Sequence, residues 1–269
     1  MNKEQANQCS LRCLDVFHVR YPDSVSLPVS MEIIERERFI PRLVEIETSY
    51  TSGNSQLIEQ SFASCDAATI RKPDTNHVVI SYVSEDAEVL IAIRTYHELA
   101  HIYCMAAQEA EHPLNEERLK GDALVGFMFW IEFIADYVGL DTLHRSINSR
   151  FAADSQDAKE YIGQNMRNIG VEYYPGNSHV ISPLANVFAF ILNLEDYTHN
   201  RIKVKIPINA RSAAGKKVRS YLDQMLDELE KQLNSDNYIV VCEDSLHVIG
   251  SVTIDILLYL SDYAEEHDW

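Results

Sequence analysis

Residues 96–101 read Tyr-His-Glu-Leu-Ala-His, an HExxH string. On a helix, positions four apart project from one face, about one turn from each other. Two imidazoles at that spacing can hold one Zn²⁺, each through a ring nitrogen. Glu98 follows the first imidazole and sits about 100° further around the helix. It therefore reaches past a metal on His97 and His101 to the bound water, where a carboxylate acts as general base. Leu90, Ile93, His97, His101 and Cys104 recur at three- and four-residue steps, which predicts both histidines on a buried face. Buried imidazoles need partners, and one metal serves both. Cys104, small and on the same stripe, is expected to pack rather than to bind metal.

A catalytic zinc takes a third protein ligand and keeps a fourth position for water. The stretch ALVGFMFWIEFIADYVGL, residues 123–140, is apolar nearly all round yet holds Glu132 and Asp136. A carboxylate buried without compensation costs several kcal/mol, so something cationic is expected to meet this face. Glu132 is the expected third ligand. Asp136, one turn on, is expected to accept the outer ring N–H of a ligand histidine. Glu109, Glu111 and His112, in or beside the polar loop EAEHPLNEERLKGD, are competing third ligands. His144, at the end of the second helix, suits the negative end of the helix dipole as an imidazolium.

The HELAH helix is followed, 31 residues after His101, by Glu132-Phe133-Ile134-Ala135-Asp136 on another helix. This arrangement resembles the gluzincin metallopeptidases, which pair HExxH with a Glu-x-x-x-Asp helix. The resemblance covers roughly residues 77–140 and includes the strand HVVISYV leading into the HExxH helix. Within that clan the chain is similar to the ImmA/IrrE-like minimal peptidases, with a longer interval to Glu132 and no helix-turn-helix. The resemblance implies a zinc-dependent metalloendopeptidase acting on a peptide or protein substrate. It carries over His97, His101 and Glu132 as zinc ligands, Glu98 as general base and Asp136 as a supporting acceptor. A metzincin would need a histidine where Ala107 stands, and the Asp-x-x-Tyr-Gly pattern of aspzincins fails because Tyr137 follows Asp136 directly. Related enzymes stabilise the oxyanion with a His or Tyr from the helical half. His179 is the first choice here, with Tyr173 and Tyr174, all in VEYYPGNSHV. The substrate is expected beside the sheet as an added strand. The alternative reading is a zincin-like binding or regulatory protein that keeps the site and hydrolyses nothing.

These residues need a helix over about 85–108 and a second over about 122–144 to position them. Ser84 is expected to cap the first, with Glu85, Asp86 and Glu88 in its opening turn. Upstream, residues 3–20 read as a helix ended by Tyr21-Pro22, with Leu11, Leu14 and Phe17 on one side. VSMEIIERERF (29–39), RLVEIETSY (42–50), residues 68–71 and HVVISYV (77–83) read as strands. Ser52-Gly53-Asn54 and Lys72-Pro73-Asp74 read as turns. After residue 150 the pattern is mostly helical, over about 153–168, 183–198, 212–233 and 244–262. The fold class is therefore α+β: a zincin-like core of N-terminal helix, small mixed sheet and HExxH helix, then a mainly helical C-terminal half. The expected division is a metallopeptidase core over 1–150 and a helical region over 151–269 that completes the cleft.

Composition sets outer bounds. Among 269 residues, 41 acids against 23 Lys plus Arg leave −18, which disfavours binding to nucleic acid and to anionic lipid. The exception is residues 201–219, with seven Lys or Arg and no acid. That segment reads as a solvated face offsetting acids elsewhere, or as a docking site for an acidic partner or nucleic acid. The alternation Ile202-Val204-Ile206 within it predicts a half-exposed strand. The longest apolar stretches are interrupted by Glu132 and Asp136, and by Pro183, Asn186 and Asn193, so no membrane span is expected. The N-terminus lacks the apolar core of a signal peptide. The five cysteines (9, 13, 65, 104, 242) include no CxxC pair, although Cys9 and Cys13 share a helix face. They read as free thiols of a reducing cytoplasm.

Overall fold

The sheet has three strands: β1 (Val29–Glu35), β2 (Ala67–Arg71) and β3 (Asn76–Tyr82). Their order is β1-β3-β2, with β3 in the centre. β1 runs parallel to β3, pairing Val29 with Asn76 and Glu35 with Tyr82. β2 runs antiparallel to it, pairing Ala67 with Ile80 and Arg71 with Asn76. A central strand covered on both faces needs a near-continuous apolar run, and Val78, Val79 and Ile80 are all buried. This computed structural model describes residues 1–50, 54–63, 65–114, 118–147, 156–194, 208 and 211–267.

Helix α1 (Lys3–Arg20) starts at a capping box in which the Asn2 side chain accepts from the Gln5 N–H and the Gln5 side chain accepts from the Asn2 N–H. The segment 42–50, expected as a strand, is instead the second part of α2 (Arg36–Tyr50), and β1 stops at Glu35. The reason is spacing. Phe39, Leu43 and Ile46 fall at four- and three-residue steps and pack with Ile34, Ile70 and Val79 against one face of the sheet. Arg42 supports the helix by pairing with Glu32 of β1 (2.8 Å) and with Glu45 one turn on (2.9 Å). Asn54 caps a further helix, α3 (Ser55–Phe62). Ser52 and Gly53 of the expected turn lie outside the described residues.

The HExxH helix, α4, spans Glu88–Glu111. It begins four residues after Ser84 rather than at it, because Asp86 is used elsewhere. The Asp86 carboxylate accepts from the Val83 N–H (3.1 Å) and from Arg94 (2.7 Å), so residues 83–86 form a turn. Arg94 also donates to the Ser81 carbonyl (3.0 Å) and to Asp66 (3.0 Å), tying α4 to the end of β3. Helix α5 spans Asp122–Ile147 without a break.

The C-terminal half is helical, as expected: α6 (Gln156–Glu172), α7 (Ile181–Leu192), α8 (Ala213–Leu233) and α9 (Glu243–Glu266). Residues 153–155, 195–198 and the alternation at Ile202-Val204-Ile206 lie outside the described residues. The architecture is thus mixed α+β, with one small mixed sheet and a mainly helical second half. Two compact units form, Met1–Tyr103 with Val138–Asn148, and Cys104–Tyr137 with Ser149–Trp269. In the second, α5 and α9 cross at paired glycines. A Cβ on Gly126 would overlap the Leu246 carbonyl, and one on Gly250 would overlap that of Asp122. Phe129 stacks near Phe133 (centroids 6.0 Å) and meets Phe188 edge-on (5.9 Å) in the same core. Buried Gln108 accepts from the Val241 N–H (2.8 Å) and donates to the Val241 carbonyl (3.0 Å). By length and composition α5 and α9 are apolar enough to cross a membrane; 56% and 44% of those windows are buried inside.

Candidate metal centre

The residues just ahead of the motif are held on several sides. Thr95 is fully buried and donates to the Ile91 carbonyl (2.7 Å) while sharing a hydrogen bond with Ser10 of α1 (3.1 Å). Tyr96 is buried beside Cys13, and its phenol is pushed above the ordinary range, first by desolvation and then by the Cys13 sulfur. On β2, Thr69 alternates with Ala68 and Ile70, which face α2. Its hydroxyl therefore points to the opposite side, where it donates to the Glu98 carbonyl (3.3 Å). Gly139 of α5 lets two backbones approach: a Cβ there would stand 3.1 Å from the His97 nitrogen and 3.3 Å from its Cα. This close approach is the local reason for a glycine at 139.

With the backbone so held, the imidazoles of His97 and His101 face each other edge to face, with centroids 4.5 Å apart. Their Nε2 atoms are 2.9 Å apart. Two ring nitrogens that close need either a proton or a cation between their lone pairs. Zn–N bonds of about 2.0–2.1 Å in tetrahedral geometry set ligand nitrogens about 3.3 Å apart, a small adjustment from this spacing. The histidine stripe, expected on a buried face, is only partly buried: Cys104 is buried and Ile93 half-buried. Both histidines are half-buried and Leu90 is exposed, because Ile91, Leu99 and Ile102 take the buried side of α4. Glu98, between the histidines, is 5% exposed.

The carboxylates of α5 are also half-buried rather than sealed in. Helix α7 gives each of them a polar partner. The Ser182 hydroxyl donates to Glu132 Oε2 (3.0 Å). The Asn186 amide, with its nitrogen turned to these acceptors, donates to Asp136 Oδ2 (2.7 Å) and to the Ser182 carbonyl (2.8 Å). Asn193 donates to the Tyr137 carbonyl (3.2 Å). Tyr161 of α6 packs on Phe190 (4.6 Å), and its phenol is pushed up to about 12 by desolvation and by the Asp136 charge.

Among the described residues, His97, His101 and Glu132 are one group of side chains that could hold a metal ion, with one ligand atom of each within 4.8 Å of the others. Two imidazole nitrogens and one carboxylate oxygen are a donor set that suits zinc. Glu109, Glu111 and His112 are exposed and outside that group. Glu111 instead accepts from Asn237. Cys104 is buried, and desolvation pushes its thiol upward, which fits packing rather than metal binding.

His144 is buried in the last turn of α5. His179 is exposed in the short turn Ser178–Val180, whose start is capped by Asn177, three residues ahead of Ser182. Tyr174 is exposed and Tyr173 half-buried. Ser182 and Asn186 were not singled out as site residues from the sequence. Their signal was weak: two small polar residues one turn apart in the otherwise apolar run ISPLANVFAFIL. Comparison with protein-family models, with curated proteins and with solved structures finds no match to this chain.

Proposed function

We propose that this chain is a zinc-dependent metalloendopeptidase of gluzincin type, with His97, His101 and Glu132 as zinc ligands and Glu98 as general base. The carrying observation is the grouping of those three ligands, with the Glu98 carboxylate one residue from the first. Bound zinc would supply a Lewis acid for the scissile carbonyl and lower the pKa of its water toward about 7. Glu98 takes a proton from the attacking water and returns it to the leaving amine. Its burial on α4 keeps bulk water away from that proton transfer. Asp136 orients a ligand imidazole by accepting its outer N–H. His179, with Tyr173 and Tyr174 as substitutes, is assigned to the oxyanion. The substrate is a peptide segment lying beside the sheet. The free thiols of Cys9, Cys13, Cys104 and Cys242 support a reducing cytoplasmic setting.

The test is direct. Purified chain is expected to carry about one zinc, and Glu98→Gln to keep it while losing about 10²–10⁴-fold in hydrolysis of denatured, labelled protein. An unchanged rate removes Glu98 from the chemistry. Zinc binding without turnover by the wild-type chain favours the binding or regulatory reading instead.

A further inference from the structure

Resting on the zinc reading above, we propose that Ser182 and Asn186 are positioning residues of the metal centre. A carboxylate ligand on a long side chain has rotamer freedom that a metal site must restrict. Ser182 restricts it by donating to Glu132 Oε2 at 3.0 Å, which engages one oxygen and favours ligation through the other. Asn186 holds the donor itself. One turn further along α7, its amide nitrogen spans the Ser182 carbonyl (2.8 Å) and Asp136 Oδ2 (2.7 Å). A single short helix thus fixes both carboxylates of the Glu-x-x-x-Asp pair. Three features of α7 suit it to that task. Ser182 and Pro183 lie in its first turn, the positive end of the helix, and Ser182 reaches Glu132 from there. Its other face is anchored in the core by Leu184, Val187, Phe188 and Ile191, all fully buried. Asn193, at its end, ties it to the Tyr137 carbonyl of α5. Ser182 and Asn186 act through the two carboxylates.

The experiment uses the full chain loaded with Zn²⁺ or Co²⁺. Zinc affinity is read by competition with a chromophoric chelator, and ligand geometry by the visible absorption of bound Co²⁺. Ser182→Ala is expected to weaken zinc binding about 10–100-fold and to alter the Co²⁺ spectrum. Ser182→Thr, which keeps the hydroxyl, should return affinity to within about threefold of wild type. Asn186→Ala should give a smaller loss, about 3–10-fold, and serves as the independent variant if Ser182→Ala folds poorly by circular dichroism. The proposal is overturned if Ser182→Ala binds zinc within twofold of wild type with an unchanged Co²⁺ spectrum. It is also overturned if Ser182→Thr is as weak as Ser182→Ala, since the loss then comes from packing. Glu132→Ala separates the two levels. If it binds zinc like wild type, the ligand assignment falls and this inference with it. If it loses zinc while Ser182→Ala does not, only the positioning role falls.

Discussion

On α4 the two imidazoles meet because the helix repeat brings them together, and Nε2 atoms 2.9 Å apart need only a backbone that stays helical. On α5 the Glu132 carboxylate is held from outside, by a hydroxyl fifty residues later in the chain on α7. The first arrangement is local and pre-formed. The second depends on how α5 and α7 pack within a helical unit, through Phe129 against Phe188 and the Asn186 bridge. The imidazole pair thus takes its spacing from secondary structure, and the Glu132 carboxylate takes its setting from a hydrophobic core. The two sides should therefore fail differently.

The largest difference should come from the proposed ligands themselves. His97→Ala removes half of the pre-formed pair and is expected to lower zinc affinity by more than about 10³-fold. Glu132→Ala leaves the pair intact and is expected to cost somewhat less, still above about 10²-fold, in the same chelator competition. Equal affinity of wild type and Glu132→Ala would move the third ligand elsewhere. Next in size is Gly139→Leu, which drives α5 off the backbone of α4 at His97. It should lower stability by about 2 kcal/mol in urea unfolding and zinc affinity about tenfold. A full-affinity Gly139→Leu protein would show that the close approach is not needed for the site.

The smallest effect belongs to Cys104, which shares α4 with the histidines but carries none of the chemistry. Cys104→Ala should leave zinc affinity unchanged and cost about 1 kcal/mol of packing. Burial raises this thiol above its ordinary 9.0. In the unfolded chain it ionises above that value while in the folded chain it stays neutral. Its contribution is therefore fully present below pH 9 and lost as pH rises past it. Unfolding curves between pH 8 and 10 should be steeper for wild type than for Cys104→Ala by up to about 1.4 kcal/mol per pH unit. Equal slopes would mean the thiol is not desolvated.

Much of this was legible in advance, for reasons that differ by element. HVVISYV announces a central strand because a strand covered on both faces needs a near-continuous apolar run, here Val78, Val79 and Ile80, and the buried Ser81 beside them is satisfied by donating to the Asp66 carbonyl (2.6 Å). α5 announces itself by length and by Glu132 and Asp136 at helical spacing within an apolar run. RLVEIETSY misled because Val, Ile and Thr favour strands locally. Phe39, upstream of it, is what completes the helical stripe with Leu43 and Ile46, and packing on the sheet overrides the local preference. Ser84 misled in a different way: a good cap residue was available, but Arg94 recruits Asp86 into a turn and delays the helix. Ser182 was invisible because a serine before a proline fits many ordinary helix starts.

Read alone, the residue order determined the helical spacing of His97, Glu98 and His101, since a four-residue step lands on one face in any α-helix. It also determined the central strand and the helical character of the second half, through periodicity and apolar content. Tertiary structure alone decided how exposed the histidines are and which small residues hold the carboxylates. It also decided that α5 passes close to the His97 backbone at Gly139. Each of these is a contact between segments far apart in sequence, set by how backbones and side chains fill space, and no local repeat encodes that.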